Sequence, residues 1–309
     1  MPLNIEGTLA DGTLSFELSA DHPSRGSGRS ADQVEEFTIQ TLLSTPTVTV
    51  TDVACSGACR HKSDEECATE THLVFPYRGV YVRHIGRDDA VAEANQVLLF
   101  NAWESYRVSH PIAGGDACLD LIIDDSLLRE LAPRDCVRDG GRLTFVRQRL
   151  RIDPRAQALV ALLRHSLHKG IAEPLEAESL ALVLAQRALG RRTSHAAGAS
   201  FGQQRQVDRI KLALAGDLAR RWTLHEIAAE VGGSPVYLTQ VFQRVEGVPL
   251  YRYQLRLRLA RALDLIGQYD DLSALGLDLG FSSHSHFTAA FRQAYGCSPT
   301  AFRQSALNR

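Results

Sequence analysis

The sequence predicts an α+β chain of two domains: a β-rich first half that ends in a pair of helices, and a wholly helical last third. Three observations carry this expectation. Short β-branched and aromatic runs bounded by Gly, Pro, Asn and Asp fill residues 37–123. After Asp124 the apolar spacing lengthens to that of helices. One supersecondary pattern then occurs twice between residues 222 and 296.

The chain has 309 residues, 44% apolar and 23% charged, an ordinary globular composition whose length fits two domains better than one. The opening MPLNIEGTLADG has no basic-then-apolar leader, and no apolar run reaches bilayer-spanning length, so the expected location is cytoplasmic. Net charge is −2. From Arg205 onward, 13 Lys and Arg stand against 9 Asp and Glu, a net of +4, and the remainder carries −6. A basic module on an acidic one is the asymmetry expected when only one end meets phosphate.

Residues 1–32 end in a Ser-, Gly- and Arg-rich stretch and are expected to be a mobile N-terminal arm. Residues 33–190 form the first domain. Its strand-like runs, TPTVTVTDVA, THLVFPYRGVYVRHIG, NQVLLFNA and ACLDLII, predict a small β-sandwich or barrel. Residues 125–131 predict one or two helical turns. Residues 153–168 open with an Asp N-cap and Pro at the first helical position, and residues 174–189 follow the same helical pattern. The two predict an antiparallel pair whose apolar faces are too broad for one shared seam. Either they pack onto the β domain or they form a dimer interface. Residues 191–204 are small, polar and aperiodic, and are read as a linker to a second domain at 205–309.

In that domain VDRIKLALAGDLARR predicts a first helix. In WTLHEIAAEVGGSPVYLTQVFQRVEG, Thr223 and Glu226 form a capping box, Gly232-Gly233 break the helix, and Ser234-Pro235 start the next. Leu238, Val241, Phe242 and Val245 are its inward face. A long helix over residues 249–266 bridges to LSALGLDLGFSSHSHFTAAFRQAYG. There Gly280 ends a short helix, Ser282 or Ser283 caps the next, and Phe287, Ala290, Phe291 and Tyr295 face inward. These are two helix-turn-helix units on a rigid bridge, which at about 1.5 Å per residue would set two reading heads roughly one DNA turn apart.

Through Ile227-Ala228, Gly233-Ser234, Leu238 and Phe242 in the first unit, and Gly280-Phe281, Ser285, Phe287, Phe291, Gly296 and the closing SPTAFR in the second, this third of the chain resembles the DNA-binding domain of the AraC/XylS family of bacterial transcription regulators. The resemblance implies double-stranded DNA as partner, and RNA polymerase if the protein activates. It places Ser234, Val236, Tyr237, Gln240 and Arg244 of one recognition helix, and Ser283, His284, Ser285 and Arg292 of the other, against DNA. Gln240 would bond adenine, Val236 and Tyr237 would touch a thymine methyl, and Arg244 would meet phosphate. Family members often carry a basic residue where Gln240 and Ala289 stand here, so the second head is expected to anchor more than to read. The resemblance further implies that the first domain is a cupin-like β-barrel that senses a small-molecule or metal effector, or forms a homodimer.

Cys55, Cys59, His61, Cys67 and His72 crowd into one stretch. Thiolates and imidazole at close spacing suit zinc or another thiophilic metal, and thiolates suit a redox switch; equally, these are plain semi-buried residues. KSDEE at residues 62–66 would favour a cation. His72, His84 and His110 are the residues a metal-dependent cupin enzyme fused to a DNA-binding module would use, but the usual cupin ligand spacing is absent, and no catalysis is expected. A third reading is a constitutive regulator whose first domain only dimerises.

Overall fold

The computed structural model describes residues 8–10, 13–16, 37–57, 61–140, 142–190 and 199–307. The expected mobile arm at 1–32 lies largely outside them, as do residues 191–198 of the expected linker and Cys59.

The first half is built from strands β1 (Thr8–Ala10), β2 (Thr13–Phe16), β3 (Phe37–Ser44), β4 (Val48–Cys55), β5 (Glu66–Cys67), β6 (His72–Arg78), β7 (Tyr81–Ile85), β8 (Asp88–Ala92), β9 (Gln96–Phe100), β10 (Ser105–Ser109) and β11 (Asp116–Ile123). Helix α1 (Asp125–Leu131), strands β12 (Val137–Asp139), β13 (Leu143–Phe145) and β14 (Arg149–Arg151), and helices α2 (Pro154–His168) and α3 (Pro174–Leu189) complete it. Eight strands make one sheet in the order β1-β2-β3-β4-β11-β6-β9-β14, and four make a second, β5-β10-β7-β8. Ladders among the described strands are antiparallel, as a fold of short strands and tight turns requires. Val74, Leu98, Phe100 and Cys118 of the large sheet share a core with Tyr81 and Ala92 of the small one, so the sheets face each other. Both are open, and no closed barrel is found among the described residues.

The other face of the large sheet carries Val48, Val50, Leu73, Leu99, Leu119 and Leu121, and is covered by α2 and α3. Asp153 caps α2 by accepting the Ala156 amide at 3.0 Å, with Pro154 at its first position. Of the two uses weighed for the broad apolar faces, packing onto the β domain is the one seen for α3, through Ala177, Ala181, Leu184 and Ala188. The breadth of α2 has a second cause: Ala161 on its far side belongs to the core of the helical domain.

That domain comprises α4 (Phe201–Gly216), α5 (Leu224–Val231), α6 (Pro235–Glu246), α7 (Leu250–Leu265), α8 (Leu272–Asp278), α9 (His284–Tyr295) and α10 (Pro299–Leu307). Helix α4 starts earlier than the sequence pattern suggested, inside the stretch read as linker. The overlooked signal is a capping box of Ser200 with Gln203. No helix among the described residues is long and apolar enough to cross a membrane.

Candidate nucleic-acid interface and the thiol cluster

The local chemistry of the first unit follows its sequence. Thr223 Oγ1 accepts the Glu226 amide at 3.2 Å and the Glu226 carboxylate accepts the Thr223 amide at 2.7 Å, closing the capping box. Hydrogen bonds from Thr223 and Arg220 hold the Glu226 carboxyl down at about 2, so it stays charged at the positive end of α5. Gly232 and Gly233 take φ of +78° and +100°, a turn other residues enter only with strain. Ser234 then caps α6 through the Tyr237 amide at 3.2 Å.

One face of α6 (Leu238, Val241, Phe242 and Val245) is buried against Val207, Ile210 and Leu214 of α4 and Ile227 of α5. The opposite face leaves Ser234, Val236, Tyr237, Gln240 and Arg244 exposed, with Val236 at 67% and Tyr237 at 45%.

The second unit repeats the arrangement. Ser283 caps α9 through the His286 amide at 3.1 Å, which settles the choice between Ser282 and Ser283. Phe287 and Phe291 are fully buried with Phe281, while Ser283, His284, Ser285, Ala289 and Arg292 are exposed. His284 Nε2 lies 3.3 Å from Thr288 Oγ1, a contact along the exposed face.

One residue's role was not read from the sequence. Arg258 belongs to a helix with arginines at 252, 256, 258 and 261. Its side chain is buried in the structure. It donates to the carbonyls of Leu218 (2.8 Å), Ala219 (3.1 Å) and Arg220 (2.9 Å), and to Gly280 O (3.1 Å). Arg258 therefore ties the approach to α5 to the turn of the second unit. The acceptors lie 22 to 40 residues away and are backbone carbonyls, which no side-chain pattern reveals.

The cysteine stretch is dispersed. Cys55 is buried at the end of β4, Cys67 is exposed on β5, and His61 lies exposed between them. His72 Nδ1 bonds the Glu70 carbonyl at 2.9 Å and its ring stacks on Phe100. Among the described residues, no three of Cys55, His61, Cys67 and His72 bring ligand atoms together. His84 is held between Asp89 (2.6 Å) and Ser109 (2.9 Å). His110 Nε2 lies 2.9 Å from Asp116 Oδ2. Burial opposes a charge on His110, but its interactions with Asp116 and the Cys55 thiol outweigh that and push it up to about 10.

Comparison with known proteins places the two units. Residues 227–305 match a family described as a helix-turn-helix domain. Over 108 residues the chain is 31% identical to the uncharacterized HTH-type transcriptional regulator YidL of Escherichia coli, covering 35% of this chain and 36% of that one. It is 32% identical over 108 residues to the HTH-type transcriptional activator RhaR of Pectobacterium carotovorum, covering 33% and 37%. A solved transcriptional regulator from Chromobacterium violaceum with an AraC-type DNA-binding domain is 28% identical, with 36% of this chain and all of that chain covered and a TM-score of 0.33. The chain spans about a third of the length of the curated relatives it matches. The C-terminal third is an AraC-type helix-turn-helix domain, as the residues of both units indicated.

Proposed function

We propose that the protein is a cytoplasmic, sequence-specific regulator of transcription that binds double-stranded DNA through α6 and α9 and has no catalytic role. The observation that carries this reading is geometric. All nine side chains assigned to DNA are exposed, on the outward faces and first turns of two helices whose inward faces are fully buried. Between them runs α7, whose 16 residues span about 24 Å at 1.5 Å per residue. That length suits two heads entering successive major grooves on one face of DNA.

In this reading residues 33–190 are a cupin-like sensor or dimerisation domain, and the DNA-binding domain covers 205–309 together with the start of α4. The open two-sheet sandwich has the strand number and antiparallel pairing a cupin-like fold uses. An effector bound there would act through the contacts that α2 and the small sheet make with the helical domain.

The test is fluorescence anisotropy of the purified chain on DNA from upstream of its own and neighbouring genes, across a salt series. Affinity should fall steeply with salt. Arg244→Ala should weaken binding on every sequence and lower the salt slope by about 1. Gln240→Ala should relax preference at a single base pair, worth about 1–3 kcal/mol. If neither substitution alters affinity or preference, α6 is not the reading helix.

A further inference from the structure

We propose that Cys55, His110 and Asp116 form a binding site for a thiophilic divalent cation of the zinc class. Cys55 and Asp116 are direct partners in the β4–β11 ladder, so their side chains share a face. Two residues along, Cys118 lies in the core between the sheets, and strand alternation puts Asp116 on that same side. His110 follows β10 of the opposite sheet. One ligand atom from each of the three lies within 4.8 Å of the other two. Ligands bonded to one tetrahedral ion at about 2.0–2.3 Å stand roughly 3.3–3.8 Å apart, so the three side chains would adjust by roughly 1 Å to hold it.

All three residues are buried, at 4%, 4% and 6% exposure. His110 Nε2 faces Asp116 Oδ2 at 2.9 Å, and the Cys55 thiol also interacts with His110, so the three donor groups already converge on one another. The Gly57 amide donates to Cys55 Sγ at 3.4 Å, the kind of outer bond that orients a ligating thiolate. The backbone beneath is fixed by close approach. Gly115 has φ +68°, and a Cβ there would lie 2.2 Å from Cys55 O; Gly79, at φ +66°, would place one 2.1 Å from Gly115 O. Only glycine fits either position, so the strands bearing Cys55 and Asp116 are pressed together at the site.

The donor set selects the ion. One thiolate, one imidazole and one carboxylate suit zinc and its neighbours, whereas magnesium and calcium take oxygen ligands. Three protein ligands leave a fourth position for water or a small ligand. The site differs from the sequence-adjacent cluster, because exposed Cys67 and His61 take no part in it. His110 and Asp116 also bracket the loop whose Ile112 packs beside Val80, Val82 and Val91 and against Leu212 and Ala215 of α4. A bound cation would tie both ends of that loop beneath the helical domain. This last consequence rests on the DNA-binding reading, and the site itself does not.

The experiment is a titration of chelator-stripped, full-length protein with Co²⁺, followed by Zn²⁺. One equivalent should bind per chain with a thiolate-to-cobalt charge-transfer band, and Zn²⁺ should displace it. Cys55→Ser should abolish the band. Asp116→Asn should weaken cobalt binding about 10- to 100-fold or more, and Cys67→Ser should change neither. Circular dichroism establishes that each variant is folded, and the wild-type titration stands independently of all of them. A wild-type protein that gives no band overturns the proposal, as does a band that survives Cys55→Ser or disappears with Cys67→Ser. None of these readouts involves DNA, so the site and the DNA-binding reading fail separately.

Discussion

Asp120 lies half-buried on β11, with its Oδ1 enclosed and lacking a hydrogen-bond partner. Burial first, and the charge of Asp52 second, push its carboxyl up to about 7. An unfolded chain would return it to about 3.9. Because the folded value is the higher one, the protonated form favours folding. That contribution is complete below about pH 4 and is lost as pH rises through 7. Tyr81, Tyr106 and Cys118, which feel the same charge, are raised by burial and stay neutral through this window. Asp120→Asn keeps the shape and removes the charge. Thermal unfolding of the wild type should therefore drop by several degrees between pH 4 and 7, and the variant should show a flatter profile and a higher midpoint at pH 8. Parallel profiles for the two proteins would mean that Asp120 is not the group that titrates.

The turns between helices show both what could be read in advance and what could not. The caps at Thr223, Ser234 and Ser283 are local, each a hydroxyl bonding an amide three residues on, so the helix starts were legible in the sequence. The buried and exposed faces of α6 and α9 were legible for the same reason, since periodicity alone separates Phe242 and Phe291 from Gln240 and Arg292. Contacts set by distant register were not. Cys55 meets Asp116 only because β4 pairs with β11, and α4 was cut short because its capping box lay in a small, polar stretch. Gly232 and Gly280 looked equivalent as helix-ending glycines, with φ of +78° and +82°, yet their surroundings differ. A Cβ at Gly232 meets nothing within 4 Å, whereas one at Gly280 would lie 2.2 Å from Ala219 O, in the loop that Arg258 clamps. Gly232→Ala should cost about 1–3 kcal/mol, the strain of a side chain at φ +78° and ψ 158° with no clash added. Gly280→Ala should cost about 3 kcal/mol or more, because backbone must move. Urea denaturation of the two variants checks the difference, and equal losses would show that the two units are not locked at this turn.

The two domains meet through buried charge. Within the helical domain Lys211 of α4 and Glu246 of α6 pair at 2.7 Å, both fully buried, and Arg151 of β14 reaches this pair from the sandwich, its Nε 3.9 Å from Glu246 Oε2. Tyr253 of α7 hydrogen-bonds Glu93, which follows β8, and Arg149 of β14 reaches Asp208 of α4 at 3.4 Å. On the other side Arg164 of α2 pairs with Asp264 of α7 at 2.6 Å, and His165 bonds the Leu263 carbonyl. The helical domain is thus held at both of its units by the β domain while α6 and α9 face outward. A polar seam of this kind is specific rather than strong, because desolvation consumes much of the gain while the loss of one partner strands the other. Lys211→Met leaves the buried Glu246 with the longer 3.9 Å approach of Arg151 and removes the charge that draws the Glu93 carboxyl down. The expected loss is about 3–5 kcal/mol, borne by the seam. Calorimetry should then show the single unfolding transition of the wild type split into two, the helical domain melting apart from the sandwich. Lys211→Met combined with Glu246→Leu should restore much of the midpoint, since an apolar pair of similar volume replaces the stranded charge. A Lys211→Met protein that still melts in one transition at the wild-type temperature would show that the domains are not held by the charge of Lys211, and that the Tyr253–Glu93, Arg149–Asp208 and Arg164–Asp264 contacts suffice.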